Sequence, residues 1–242
     1  MTSDTTSKYA FIDCSLDELL CCAKGMEIET PLWLFPEIAS ELTESNVRIA
    51  VGRDSLQSRG LLAESETGPV LDEFLATAVE CVCVPSKVAA IVIGTIQSIQ
   101  AGWIAADGRV VVAVERLTEF VLRFRVLPHD AFAAAIAKVT ALKIDGSALA
   151  NSIVFDGATL ESLTTSHGAI VDSISSLFGE DFRVVSLTLA SKRPVGAASD
   201  RREISWLVSS SGAYGLVTQS DNAVGIEPIS GLALLSKLDA SS

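Results

Sequence analysis

The chain has 242 residues, 49% of them hydrophobic, a mean hydropathy of +0.42 and a formal net charge of −12. A chain this long buries roughly 70–75% of its unfolded surface if it folds as one domain. Its acidity argues against a nucleic-acid binder, whose affinity rests on clustered Lys and Arg facing phosphates. The most apolar run, VAAIVIGTI from Val88, is too short to span a bilayer. No basic segment followed by an apolar one opens the sequence, and five cysteines without a regular framework point to reduced thiols. A soluble cytoplasmic protein is expected. Charge is uneven: residues 1–85 carry 15 acidic and 5 basic side chains, residues 86–242 carry 15 and 13.

Ser15-Leu-Asp-Glu18 fits a capping box, in which the Ser15 hydroxyl accepts from the Glu18 amide and Glu18 reaches back, and predicts a helix over roughly 15–24. TPLWLFPEIASEL, from Thr30, holds two prolines and predicts a turn with a brief helix opening at Pro36. Residues 45–59 read as helical, closing near Arg59-Gly60, where glycine takes the left-handed cap. Thr67-Gly68-Pro69 is expected to open a further helix that aligns Val70, Leu71, Phe74, Leu75, Ala78 and Val79.

From Lys87 the texture changes to four β-rich runs, KVAAIVIGT, AGWIAADG, RVVVAVER and TEFVLRFRV, with Asp107-Gly108 as a hairpin turn. Pro128 suits the first turn of a helix carrying Phe132, Ile136 and Val139. The second half repeats that order. Ile170, Val171, Ile174, Leu177 and Phe178 form a helical face ending near Gly179, and FRVVSLTLAS, REISWLVSS, AYGLVTQ and NAVGIEPI follow as strands. Ser230 begins a last helix through Leu234, Leu235 and Leu238. Trp206 stands in for Trp103, and Pro228 for Pro128. The expected fold is α+β, a single domain over 1–242 with two pseudo-symmetric lobes, about 1–145 and 146–242. Each lobe is an antiparallel β-meander flanked by helices, and the sheets join into one central platform.

Catalytic chemistry finds little footing. His129, at a predicted helix start, and His167, before Gly168, are the two histidines, and both read as ordinary turn or capping residues. There is no Gly-x-Ser-x-Gly elbow, no GxxxxGK[ST] and no GxGxxG. Cys21-Cys22 and Cys81-Val-Cys83 lack the spacing of a zinc site and read as buried free thiols. Asp17-Glu18 and Asp72-Glu73 fall in first helical turns, where the dipole favours negative charge. The expectation is a protein without catalysis, cofactor or metal. A hydrolase would need a pocket uniting His129 or His167 with a serine or carboxylate.

Three passages carry a family resemblance. VRIAVGRDSLQSRGLL (47–62) is a helix ending in a leucine, a variable pair and Arg-Gly-Leu. The first meander closes on LPHDAF (127–132). EISWLVSSSGAYGLVTQSDNAVGIEPISGLALLSKL (203–238) sets out a strand, a Gly-x-Tyr hairpin, a Pro-containing strand and a final helix. In this order, over nearly the whole chain, they resemble the EspG family, cytosolic chaperones of actinobacterial type VII (ESX) secretion systems. Two departures are Ala213, where the family often has arginine between the glycine and tyrosine, and a length at the short end for the family.

The resemblance implies a chaperone or adaptor that binds a PE–PPE heterodimer, grips the apolar tip of the PPE helical bundle and keeps it soluble until export. The partner is then a protein, with no nucleic acid and no membrane insertion. An apolar-rich chain can offer such a patch within a polar rim. KRPVGAASDRR (192–202), the longest irregular turn of the β-rich regions, gathers four basic residues. Arg193, Arg201 and Arg202 beside Pro194 and Val195 either dock on a bundle tip and pair with its carboxylates or form a solvated hairpin loop. A second class stays open: an acidic immunity or inhibitor protein covering a basic partner through its N-terminal region, with binding that weakens sharply with salt.

Overall fold

The computed structural model describes residues 11–31, 34, 46–66, 68–156, 175–191, 200–220 and 223–239. The chain begins with strand β1 (Ile12–Ser15) and helix α1 (Leu16–Gly25). Both arms of the Ser15–Glu18 capping box are formed, so α1 starts where the sequence places it. Helix α2 (Asn46–Ser58) ends before Gly60, whose φ of 68° is the left-handed closure that glycine supplies without a Cβ clash. Next come the hairpin β2 (Leu62–Ser65) and β3 (Gly68–Leu71), helix α3 (Glu73–Cys83), and the first meander. That meander is β4 (Lys87–Gly94), β5 (Ile99–Ala106), β6 (Val110–Thr118) and β7 (Val121–Pro128), and α4 (Phe132–Val139) follows it. A short strand β8 (Ile153–Asp156) precedes the second meander, β9 (Arg183–Ser191), β10 (Asp200–Val208), β11 (Tyr214–Ser220) and β12 (Ala223–Pro228), and α5 (Gly231–Asp239) closes it.

The α+β expectation holds. Among the described residues ten strands form one sheet in the order β1-β7-β6-β5-β4-β9-β10-β11-β12-β8, antiparallel wherever the register is resolved. Trp103 and Trp206 both lie in the second strand of their meander, and Pro128 and Pro228 both close the fourth.

Two expectations are corrected. Gly68-Pro69-Val70-Leu71 does not open a helix but forms β3, paired with β2 from Leu62↔Leu71 to Ser65↔Gly68. The helix starts at Glu73, because the Asp72 carboxylate accepts from the amides of Phe74 (3.0 Å) and Leu75 (3.2 Å) and so caps it there. Pro128 is likewise no helical residue. It sits opposite Val110 as the last residue of β7, a position that tolerates a missing N–H, and α4 begins four residues on. The turn expected around Pro36 and the helical positions Ile170, Val171 and Ile174 lie outside the described residues; Ser175–Phe178 is helical and ends at Gly179, φ 85°.

Contacts divide the chain into two units, Met1–Val88 with Trp103–Phe132 and Ala89–Gly102 with Ala133–Ser242. In the first, α1 packs on α2 and α3, and α3 packs on β6 and β7. The core there comprises Leu16, Leu19 and Leu20 of α1, Leu56 of α2, Leu75 and Val79 of α3, and Val112, Val114, Leu122 and Phe124 of the strands. Gly52 lets α2 approach the backbone of α1 directly: a Cβ built on it would lie 2.0 Å from the Asp17 carbonyl oxygen. Beside that contact Glu18, 1% exposed, accepts from Ser55 Oγ (2.7 Å) and from Arg59 Nη1 (2.7 and 2.8 Å to its two oxygens).

In the second unit Phe178, Phe182, Leu207 and Ile226 form a buried cluster, with Leu149, Ile153, Phe155 and Val184 packed against it. Residues 143–149 are strapped to the start of β11. The Lys143 amide donates to Tyr214 Oη (2.9 Å), the Tyr214 amide donates to Ser147 O (2.9 Å), and the Leu149 amide donates to Tyr214 O (2.9 Å).

Candidate partner-binding surface

Alternation along β9 defines an open side of the second unit's sheet. Val185, Leu187 and Leu189 are buried, while Ser186 is exposed and Thr188 and Ala190 half-buried. A strand sends successive side chains to opposite faces, so the cross-strand partners Ser205 (of Ser186), Glu203 (of Thr188) and Arg201 (of Ala190) share that open side. It is polar and of low relief: Ser205 Oγ bonds Ser186 Oγ at 3.1 Å.

The basic cluster expected at 192–202 is placed only in part. Arg193, Pro194 and Val195 lie outside the described residues. Arg201 and Arg202 belong to β10 rather than to a loop, and the two-residue period turns them to opposite faces. Arg201 Nη2 pairs with Glu203 Oε1 at 2.7 Å, both side chains being well exposed. An exposed pair of this kind contributes at most about 1 kcal/mol, so it leaves Arg201 available to a stronger carboxylate.

The β4–β5 hairpin carries a feature that pattern reading passed over. From Val88 to Ala106 there is no charged residue. Its turn is stiffened from within: the Thr95 amide donates to Ser98 O (2.8 Å), and the amides of Gln97 (3.2 Å) and Ser98 (3.0 Å) both donate to Thr95 Oγ1. This ordered tip presents Val92, Ile96 and Ile99 to solvent, Ile96 at 43% and Ile99 at 79% exposure. The signal available in the sequence was the absence of charge across a hairpin that ends in isoleucines. Gly94 approaches Val184 O, at the opposite end of β9 from Ala190 and its partner Arg201. Six residues of strand separate those positions, about 20 Å at 3.3 Å per residue.

The groups weighed for catalysis are scattered. His129 lies in the exposed turn after β7, and His167 lies outside the described residues. Among the described residues no three His, Cys, Asp or Glu side chains group as metal ligands, and the five cysteines are free thiols. Burial raises the pKa of Cys22, Cys81 and Cys83 to about 12 and pushes that of Cys14 well up, which keeps these thiols neutral and poorly nucleophilic. No described helix is long and apolar enough to cross a membrane.

The architecture is that of an α+β protein built on a large antiparallel sheet, with one polar open side and one charge-free hairpin whose isoleucines are exposed. It is similar to the solved structure of the Mycobacterium tuberculosis type VII secretion system chaperone EspG5 in complex with the PE25–PPE41 dimer. The TM-score is 0.58 at 12% sequence identity, covering 96% of this chain and 95% of that chain. At that identity the likeness is one of fold, and it agrees at that level with the resemblance read from the three sequence passages. No family model matches the sequence, and no curated protein matches it.

Proposed function

We propose that the chain is a non-catalytic cytoplasmic chaperone or adaptor that binds a PE–PPE-type secretion substrate and keeps it soluble for type VII export. The observation that carries this reading is the stiff, charge-free hairpin with Ile96 and Ile99 exposed, on a fold shared with a chaperone of that system. An ordered apolar tip loses little conformational freedom on docking, so most of its burial is available as affinity. Arg201, on the open side of β10, is a second proposed contact together with Arg193, Pro194 and Val195, pairing with substrate carboxylates, while Arg202 faces away from it. Gly94, the last residue of β4, and Arg201, about 20 Å apart along β9, fit within an interface of about 800 Å² per partner.

The test is co-purification of the chain with a co-expressed PE–PPE pair from the host that encodes it, followed by affinity measurement on Ile96→Asp/Ile99→Asp. Burying two isoleucines stabilises a complex by about 4 kcal/mol, so the variant should bind roughly 10³-fold more weakly. Unchanged affinity would remove the hairpin from the interface, and failure of any such pair to co-purify would overturn the chaperone reading. The acidic first 85 residues favour one alternative, an inhibitor that covers a basic protein. Charge-dominated binding of that kind collapses between low and high salt, whereas apolar docking does not.

A further inference from the structure

The outer edge of β1 is closed by two side chains where a neighbouring strand would otherwise pair. Among the described residues β1 ends the strand order of the sheet and bonds β7 along one edge. The Leu16 amide donates to Phe120 O (2.8 Å), so the even-numbered peptide groups face β7, and the alternation of an antiparallel ladder turns those of Asp13 and Ser15 outward. Both residues have an outward group occupied. The Asp13 carbonyl accepts from Arg59 Nη2 at 2.8 Å, and the Ser15 amide donates to Glu18 Oε2 at 2.8 Å. Arg59 Nη1 joins the two by bonding both oxygens of Glu18. Either side of Cys14, the ion pair thus offers one donor and one acceptor, the two bonds that a single residue of an adjoining parallel strand would make.

The mimic is built to stay in place. Glu18 is 1% exposed and is also held by Ser55 Oγ, and Arg59 leaves α2 just before the left-handed Gly60. Exposed strand edges present unpaired N–H and C=O groups that template pairing with another chain. We infer that the Arg59–Glu18 pair is a strand mimic that closes this edge against β1 of a second copy.

The test compares Arg59→Met, which removes the donor of the Asp13 carbonyl and the ion pair to Glu18, with Arg59→Lys. The lysine keeps a charge against Glu18 but lacks the planar fork that reaches Asp13 at the same time. Arg53→Met is the control, because Arg53 sits on the same helix and pairs with the exposed Glu64. Folding is checked by circular dichroism, and mass by light scattering over a dilution series. The mass of Arg59→Met should rise with concentration to twice that of the unmodified chain. Arg59→Lys should follow at higher concentration, Arg53→Met should stay unchanged, and the Asp13 amide should gain hydrogen-exchange protection in the associated form. Folded Arg59 variants with the mass of the unmodified chain at every concentration would overturn the inference. In the unmodified chain the Ser15 amide should be protected from exchange, and exchange at the rate of a free edge would overturn the inference even if both variants fail to fold.

Discussion

Replacing Gly52 by alanine offers a test in which two physical effects of opposite sign compete. In a solvent-facing helix interior, Gly→Ala stabilises by about 1 kcal/mol through backbone propensity. At position 52 the new Cβ would meet the Asp17–Glu18 peptide group of α1: 2.0 Å from the Asp17 carbonyl oxygen, 2.5 Å from its carbon and 2.9 Å from the Glu18 nitrogen. Ordinary contact begins near 3.5 Å, so α2 must withdraw from α1 by roughly 1.5 Å. Overpacking of this kind costs about 1–3 kcal/mol. The same withdrawal stretches the 2.7–2.8 Å bonds that Ser55 and Arg59 make to Glu18 beyond bonding range. Weakening bonds to a buried carboxylate adds about 1.5–3 kcal/mol. The clash wins, and Gly52→Ala should destabilise by about 1.5–5 kcal/mol net, a fall in Tm of roughly 3–20 °C for a chain of this size. Gly25, at the end of α1, has nothing within 4 Å of its would-be Cβ, and Gly25→Ala should leave stability unchanged or raise it by up to about 1 kcal/mol. Thermal and urea unfolding of both variants measure the signs. A Gly52→Ala protein as stable as the unmodified chain would refute the close α1–α2 packing and the ion-pair geometry derived from it.

Three further outcomes follow from the same structure. Tyr214→Phe removes the acceptor of the Lys143 amide and should cost about 1 kcal/mol while speeding exchange of that amide; an unchanged exchange rate would sink the strap. The Asp13 pKa is lowered, first by its bonds from Arg123, and that of Glu18 is lowered because bonds from Ser15, Ser55 and Arg59 outweigh its burial. Their stabilising contribution is therefore complete above the ordinary values of 3.8 and 4.5 and is lost as pH falls through the lowered ones. Urea midpoints should accordingly fall below about pH 4.5, and Glu18→Gln should flatten that acid limb. Cys14 and Cys22, buried and shifted upward, should react with a thiol reagent at pH 8 only after unfolding, and rapid labelling of all five cysteines in the native protein would contradict their placement.

Local chemistry was legible wherever one segment decides its own fate. The Ser15–Glu18 box, the left-handed Gly60 and the Asp107-Gly108 turn each rest on neighbouring residues. At that last turn Asp107 Oδ1 accepts from the amides of Arg109 (2.9 Å) and Val110 (3.1 Å). What escaped were segments fixed by distant partners. Ile12–Ser15 is too short to announce itself, and it becomes a strand because β7 pairs with it from Ile12↔Phe124 to Ser15↔Val121. Gly68–Leu71 looked helical because its apolar residues continue the spacing of α3, yet its register with Leu62–Ser65 makes it a strand. At the candidate surface, adjacency in sequence suggested that Arg201 and Arg202 act together, and the strand period separates them. The charge-free hairpin was visible as a β-rich run, but exposure of its isoleucines depends on what the rest of the fold covers, which no local pattern records.

The residues that carry the family resemblance turn out to hold the fold together. In Leu56-x-x-Arg59-Gly60-Leu61 the two leucines are buried, the arginine ties α1, α2 and the edge of β1, and the glycine turns the chain. In Gly212-x-Tyr214 the glycine has φ 83° and the buried tyrosine anchors the 143–149 strap. Ala213, at the position between them, spends its backbone on Ser209 through bonds of 2.9 and 3.1 Å, and a side chain there is free to vary without loss of the turn. Such marks report shape, so under the function proposed above partner selectivity would reside in residues outside them. That division has a measurable consequence. Substitutions at Arg59 or Tyr214 should lower the melting temperature and affect binding only through unfolding. Substitutions at the exposed Ile96 and Ile99 should weaken binding of the proposed partner roughly 10³-fold at an unchanged melting temperature. A melting loss in the isoleucine variants comparable to that in the Tyr214 variant would mean that the hairpin, too, belongs to the scaffold, and the client would have to be sought on another surface.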